Sequence, residues 1–177
     1  MRKRRLRAAA ATAACALACW GLTAGCGRDA APARTTASFT DGGVTVTVTL
    51  ERSAARTLHV SAELRPQRPG FHLYSLGLPD QGVDGLGIPT RLAVAAPLTA
   101  DGPVTTPAHP YGLRQPGLDV TLPVYPDGPV TLRLAVRLPA APQSSARLLL
   151  TYGACSGTAG CLAPVRRHPV TLPVPPR

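Results

Sequence analysis

The stretch Asp41–Leu50, "DGGVTVTVTL", decides the fold. Val44, Val46, Val48 and Leu50 alternate with Thr45, Thr47 and Thr49. That period of two puts apolar side chains on one face of a strand and hydroxyls on the other. Asp41-Gly42-Gly43 supplies the turn that precedes it. "TLHVSAEL" repeats the alternation through Leu58, Val60, Ala62 and Leu64. Further strands are predicted in "FHLYSL", "TRLAVAA", "LDVTLPVY", "VTLRLAVRL", "RLLLTY" and "HPVTLPV". Pro69-Gly70, Asp101-Gly102-Pro103, Pro116-Gly117 and Asp127-Gly128-Pro129 punctuate them. Strand signals at this spacing, with no helical stripe and no internal repeat, predict an all-β antiparallel sandwich. Pro123 and Pro173 favour edge strands or bulges where they fall.

Composition agrees. The 177 residues suit one domain, and 45% are hydrophobic but only 4% aromatic, so the core must be built from Val, Leu and Ala. Twenty prolines and 17 glycines argue against long helices. The formal net charge is +10, but Arg2, Lys3, Arg4, Arg5 and Arg7 supply half of it. No basic run interleaved with aromatic residues follows, which excludes a nucleic-acid surface.

The N-terminus reads as an export signal. "MRKRRLR" is a charged n-region, and "AAAATAACALACWGL" is an apolar segment too short for a membrane span. It ends in Leu22-Thr23-Ala24-Gly25-Cys26, which resembles the bacterial lipobox. In that pattern the cysteine becomes the lipidated first residue of the mature protein. The expected organisation is a lipoprotein signal peptide over 1–25, a flexible tether over 26–37 and a β-sandwich domain over 38–177. An uncleaved anchor or an ordinary secretory signal is the alternative. Cys15 and Cys19 lie inside the apolar segment and would be discarded with it.

Two cysteines then remain, Cys155 and Cys161 in "YGACSGTAGC", facing an oxidising compartment. "RLLLTY" leads into the first and "CLAPVRRHPVTLPV" leads out of the second, so the pair sits at the base of a short hairpin turn. Such a hairpin can bring the Cα atoms within the roughly 4.4–6.8 Å that a disulfide needs. A structural staple and a redox centre both fit this spacing. Closing a loop of about seven residues contributes only about 2.4 kcal/mol, near the low end for disulfides. The turn holds only Ser, Gly, Thr and Ala, which leaves the sulfurs open to approach. Thiol–disulfide exchange needs an incoming thiolate in line with a sulfur and no acid–base pair beside it.

Other chemistry finds little support. There is no G-x-S-x-G elbow, no HExxH and no glycine-rich phosphate loop. His59 and His72 fall within strand patterns, where a surface or hydrogen-bonded histidine is expected; His109 and His168 are far apart in sequence. Asp80 and Asp84 lack the spacing of a calcium loop and read as solvated turn carboxylates. Nothing calls for a metal or a cofactor. The longest irregular regions, 78–89 and 99–116, are where function on a β-sandwich usually sits.

At the cysteine hairpin the sequence resembles the N-terminal periplasmic domain of the thiol:disulfide interchange protein DsbD. "YGACSGTAGCLAPV" is similar to that family's C-x5-C motif, with a tyrosine before the pair and a proline shortly after it. "PGFHLYSLGLP", "GIPTRL" and "PYGLRQPGLDVTLPV" are similar to further segments, so the resemblance covers roughly residues 38–174. It implies an immunoglobulin-like antiparallel β-sandwich whose pair, Cys155 and Cys161, shuttles electrons. A membrane-embedded thiol protein would be the electron donor, and exported thioredoxin-like or other disulfide proteins the acceptors. Cys155 is taken as the attacking thiol. The family's cap loop, which places an aromatic ring over the disulfide, matches His109-Pro110-Tyr111-Gly112, with Tyr111 as the cap. Pro110 stands where that family usually has an aromatic residue, and the neighbouring acidic residues are absent. Phe71 and Tyr74 match aromatics near the site, with core packing the competing reading for both. DsbD continues into a membrane domain and a thioredoxin-like domain, whereas this chain runs to Arg177; the donor is therefore expected in a separate chain, with lipid on Cys26 keeping the module at the membrane. The competing function is a non-enzymatic binding or scaffold lipoprotein with a static disulfide.

Overall fold

Alternating Val/Thr segments can bury one face only by packing two sheets together, and this is what the chain does. The computed structural model describes residues 33–115, 117 and 119–177. The signal segment, Cys15, Cys19, Cys26 and the start of the predicted tether lie outside the described residues.

Thirteen strands follow one another: β1 Arg34–Asp41, β2 Val44–Ala54, β3 Thr57–Pro66, β4 His72–Leu73, β5 Arg91–Val94, β6 Thr99–Ala100, β7 Tyr111–Arg114, β8 Thr121–Val124, β9 Val130–Arg137, β10 Ser145–Tyr152, β11 Ala154–Ser156, β12 Gly160–Cys161 and β13 Val165–Pro173. The larger sheet has the order β1-β2-β3-β9-β6 and the smaller β13-β10-β5. All their pairings are antiparallel. Val44, Val46, Val48 and Leu50 join Leu58, Val60, Leu132 and Leu134 from the larger sheet and Leu148, Leu150 and Leu172 from the smaller in one buried cluster. The predicted all-β, immunoglobulin-like sandwich is the observed fold.

The opening hairpin turns as its sequence dictates. Asp41 pairs with Val44 across two residues, Gly42 and Gly43, whose φ angles are 52° and 69°. Left-handed φ at both positions matches the right-handed twist of the strands and favours glycine. A Cβ on Gly42 would also lie 2.6 Å from the Ala163 carbonyl oxygen.

Three segments differ from expectation. β1 begins at Arg34, so residues 34–37 of the predicted tether are strand. Its outward hydroxyls pair with those of β2, Thr36 with Thr49, Ser38 with Thr47 and Thr40 with Thr45, at 3.1–3.2 Å. A strand built on small polar residues hides from a hydrophobic pattern. "FHLYSL" yields only the two residues of β4, followed by single bridges from Tyr74 to Pro89 and Val124. The region 99–116 is not wholly irregular, because it contains β6 and β7. Of the two prolines, Pro173 ends β13, an edge strand of the smaller sheet, and Pro123 lies in the two-stranded pair β7–β8.

The loop over 78–89 is held from both sides. Arg91 donates to the carbonyls of Leu76 at 2.7 Å and Leu78 at 2.6 Å and to the Asp80 carboxylate at 2.9 Å. Val83 and Leu86 exchange backbone bonds around a turn. Gly82, at φ 74°, faces the Leu86 carbonyl so closely that no Cβ fits. Gly82→Ala is therefore expected to destabilise the fold by about 1–3 kcal/mol, read as a lower denaturant midpoint.

Candidate functional site

The site grows out of strand parity. In β4 and the residues beside it, Phe71 and Leu73 join the main core, whereas Tyr74 joins a second cluster with Leu78, Leu122, Val124 and Cys155. In β11, Ala154 faces the main core and Cys155 the second cluster. β11 lies between β12 and β4, so Cys155 pairs with Cys161 on one side and His72 on the other. Gly153, between β10 and β11, lets the chain pass close to Ile88, for a Cβ there would stand 2.9 Å from Ile88 Cβ.

Cys155 and Cys161 are joined as a disulfide, with Cα atoms 4.0 Å apart, closer than the expected range. The two sulfurs are not equivalent. Cys155 is 7% exposed, while Cys161 lies exposed beside the open turn of Gly157, Thr158 and Ala159. The Tyr74 hydroxyl donates to Cys155 Sγ at 3.1 Å. Burial pushes the Tyr74 phenol above its ordinary pKa, which keeps it protonated as a donor. Thr90, from the segment "GIPTRL", fixes Tyr74 by donating its hydroxyl to the Tyr74 carbonyl.

His72 departs from the expectation of a surface or hydrogen-bonded histidine. It is 4% exposed, and its Nε2 has no hydrogen-bond partner. Its ring meets that of Tyr74 edge-on, with centroids 5.9 Å apart. Burial lowers its pKa, against the opposing pull of the Asp127 carboxylate. Below about pH 6.5 the unfolded chain takes up a proton here that the folded chain does not, so stability falls with falling pH. Replacing His72 with Phe is expected to flatten that acid limb, by at most about 1.4 kcal/mol per pH unit, in denaturation curves taken between about pH 5 and 6.5.

The remaining candidates are dispersed. Phe71 is buried in the main core and takes no place in the cysteine cluster. His109, Pro110, Tyr111 and Gly112 are exposed, Tyr111 at 46%. Tyr111 pairs with Val124, which also bridges to Tyr74, so the three stand in one cross-strand row. His168 stacks on Phe39 at 4.1 Å and its Nδ1 lies 3.1 Å from an Asp41 carboxylate oxygen, far along the chain from His109. Among the described residues no three His, Cys, Asp or Glu side chains converge as metal ligands would. Sequence reading named both cysteines and Tyr74 but passed over His72. The two-residue spacing puts positions 72 and 74 on one face of a strand, but it does not report that this face lies opposite Cys155.

Chemically, this arrangement offers a disulfide between one exposed and one buried cysteine, with a hydroxyl donor on the sulfur of the buried one.

No family model matches the chain, and no curated protein sequence matches it. Solved structures do. The N-terminal periplasmic domain of ScsB from Proteus mirabilis superposes with a TM-score of 0.55 at 16% identity, covering 82% of this chain and 54% of that one. The chain thus spans about half the length of that structure. The DsbD N-terminal domain of Neisseria meningitidis, in its reduced form, gives 0.44 at 15% identity, covering 76% and 85%. The GAE domain of GGA2p from Saccharomyces cerevisiae gives 0.39 at 11%, covering 82% and 100%. The likeness to the ScsB N-terminal periplasmic domain is one of fold: this chain has the fold of that domain.

Proposed function

We propose that this protein is an extracytoplasmic thiol:disulfide interchange module whose Cys155–Cys161 pair cycles between disulfide and dithiol. The observation that carries this reading is the asymmetry of the pair: Cys161 exposed, Cys155 buried under the Tyr74 hydroxyl. A donor thiolate attacks Cys161 Sγ, the Cys155–Cys161 bond breaks, and its electron pair leaves on Cys155. A second donor thiolate then attacks the mixed disulfide and releases Cys161. The donor dithiol becomes a disulfide, and the module gains two electrons. Running the steps in reverse, Cys161 attacks a client disulfide and Cys155 resolves it. The exposure of Cys161 supports it as the attacking thiol in this reading, in place of the Cys155 expected from the sequence. The Tyr74 hydroxyl stabilises the Cys155 thiolate, because hydrogen bonds to ionised sulfur strengthen as charge develops.

The segment His109-Pro110-Tyr111-Gly112 is proposed as the cap, with the Tyr111 ring screening the approach to the hairpin. The donor is a membrane-embedded thiol protein in a separate chain, and the clients are exported thioredoxin-like or other disulfide proteins. The module would work at the outer face of the cell membrane, held there by lipid on Cys26, with no cofactor and no nucleic acid involved.

Trapping tests this directly. Cys155→Ala, which keeps the accessible sulfur and removes the resolving one, is expected to accumulate mixed disulfides with partner proteins, and Cys161→Ala far fewer. No mixed disulfide from either variant would overturn the reading in favour of a scaffold with a static disulfide.

A further inference from the structure

Buried polar atoms in folded proteins are almost always hydrogen-bonded, and an unpartnered one asks for a reason. Among the described residues one buried side-chain polar atom lacks a partner: Nε2 of His72. It lies in the strand pair that carries the disulfide. His72 stands directly opposite Cys155 in the β4–β11 register. Residues so paired place their Cβ atoms about 4.5–5.5 Å apart on the same face of a sheet. Tyr74, two residues along, touches both, through its ring on His72 and its hydroxyl on Cys155 Sγ. A polar atom without a partner thus shares a pocket with a sulfur that becomes charged when its bond opens.

We propose that His72 is a positioning residue for the Cys155 thiolate, its Nε2–H donating to the sulfur once the disulfide has opened. This rests on the exchange reading of the Cys155–Cys161 pair. When an incoming thiolate bonds to Cys161, the electron pair of the broken S–S bond settles on Cys155 Sγ. That charge forms among Leu78, Leu122 and Val124, where burial opposes ionisation. A disulfide sulfur is a weak acceptor and a thiolate a strong one, so the bond from Nε2 gains most of its strength in the open state. The unmade hydrogen bond of the closed state then has a use, since it favours opening. The groups facing His72 are Tyr74 from its own segment, Cys155 from β11 and the Asp127 carboxylate from the loop after β8. Burial lowers the His72 pKa, and the proposed bond uses the neutral tautomer that carries its proton on Nε2.

The test follows the Cys155 Cβ and His72 ring resonances against pH in the full chain, as disulfide and as dithiol. In the dithiol the His72 signals are expected to move in the same step as Cys155 ionises, and that step is expected to be missing from the disulfide. In His72→Phe the Cys155 midpoint should rise by about one pH unit or more. His72→Gln, which retains an N–H donor, should restore part of the shift, which a purely packing role would not. A Cys155 midpoint unchanged in His72→Phe, or a His72 ring blind to Cys155 ionisation, would overturn the proposal. If His72→Phe does not fold, the disulfide–dithiol comparison in the unaltered protein decides alone. Trapping by Cys155→Ala needs no His72 donor. Lost coupling with trapping intact therefore removes only the His72 role, whereas lost trapping removes the exchange reading beneath it.

Discussion

Leu150→Ala is expected to cost the fold about 2–5 kcal/mol, the range for truncating a fully buried leucine. Leu150 has no exposed surface and sits near the C-terminal end of β10, the middle strand of the smaller sheet. It stands opposite Leu92 on one side and His168 on the other, and its side chain lies in the core shared with the larger sheet. Neighbours tied into two ladders cannot collapse into the space it leaves, so transfer and cavity costs add. Domains of this kind hold only about 5–15 kcal/mol in total, so one such truncation removes much of the margin. The check is a guanidinium titration, with a lowered midpoint at an unchanged slope. Arg147→Ala, on the exposed face of the same strand, should stay within about 0.5 kcal/mol. A Leu150→Ala midpoint equal to that of Arg147→Ala would contradict the assignment of the core.

Tyr74→Phe should slow reduction of the disulfide by about 10–100-fold while leaving stability nearly unchanged. The ring stays and fills the same space; only the hydroxyl that donates to Cys155 Sγ is lost. A hydrogen bond to a charged group contributes about 1.5–3 kcal/mol, and this one strengthens as Cys155 leaves as a thiolate. Reduction by dithiothreitol, followed by rapid mixing at fixed pH, reads the effect without any partner protein. An unaltered rate would show that the hydroxyl plays no part in bond opening.

The sandwich was legible because its inner strands carry the plainest pattern a sequence can hold, Val and Leu alternating with Thr from Val44 to Leu50, and Leu58, Val60, Ala62 and Leu64 alternating with His59, Ser61 and Glu63. β1 was not legible at its start. Arg34 to Ala37 look like tether, and only the threonine ladder to β2 and the half-buried Thr35, Ala37 and Phe39 make them strand. Both cysteines could be named from spacing, since a hairpin turn acts locally, and Tyr74 from the resemblance to the DsbD N-terminal domain. His72 could not. Its place opposite Cys155 depends on β4 pairing with β11, a contact between segments 83 residues apart in the chain, and no local pattern reports such a register. Nor does local sequence distinguish the two sulfurs: burial of Cys155 comes from Leu78, Leu122 and Val124, contributed by loops and strands elsewhere.

The central claim, that Cys155 and Cys161 exchange electrons and do not merely staple a hairpin, meets its most direct test in a redox equilibrium. The purified protein is brought to equilibrium with glutathione buffers of graded poise, and the fraction of open disulfide is read by thiol labelling. An exchange pair is predicted to open reversibly at a potential between about −270 and −180 mV, among the known exchange couples. A bond that stays closed until the poise falls below about −300 mV would mark a structural disulfide and contradict the account.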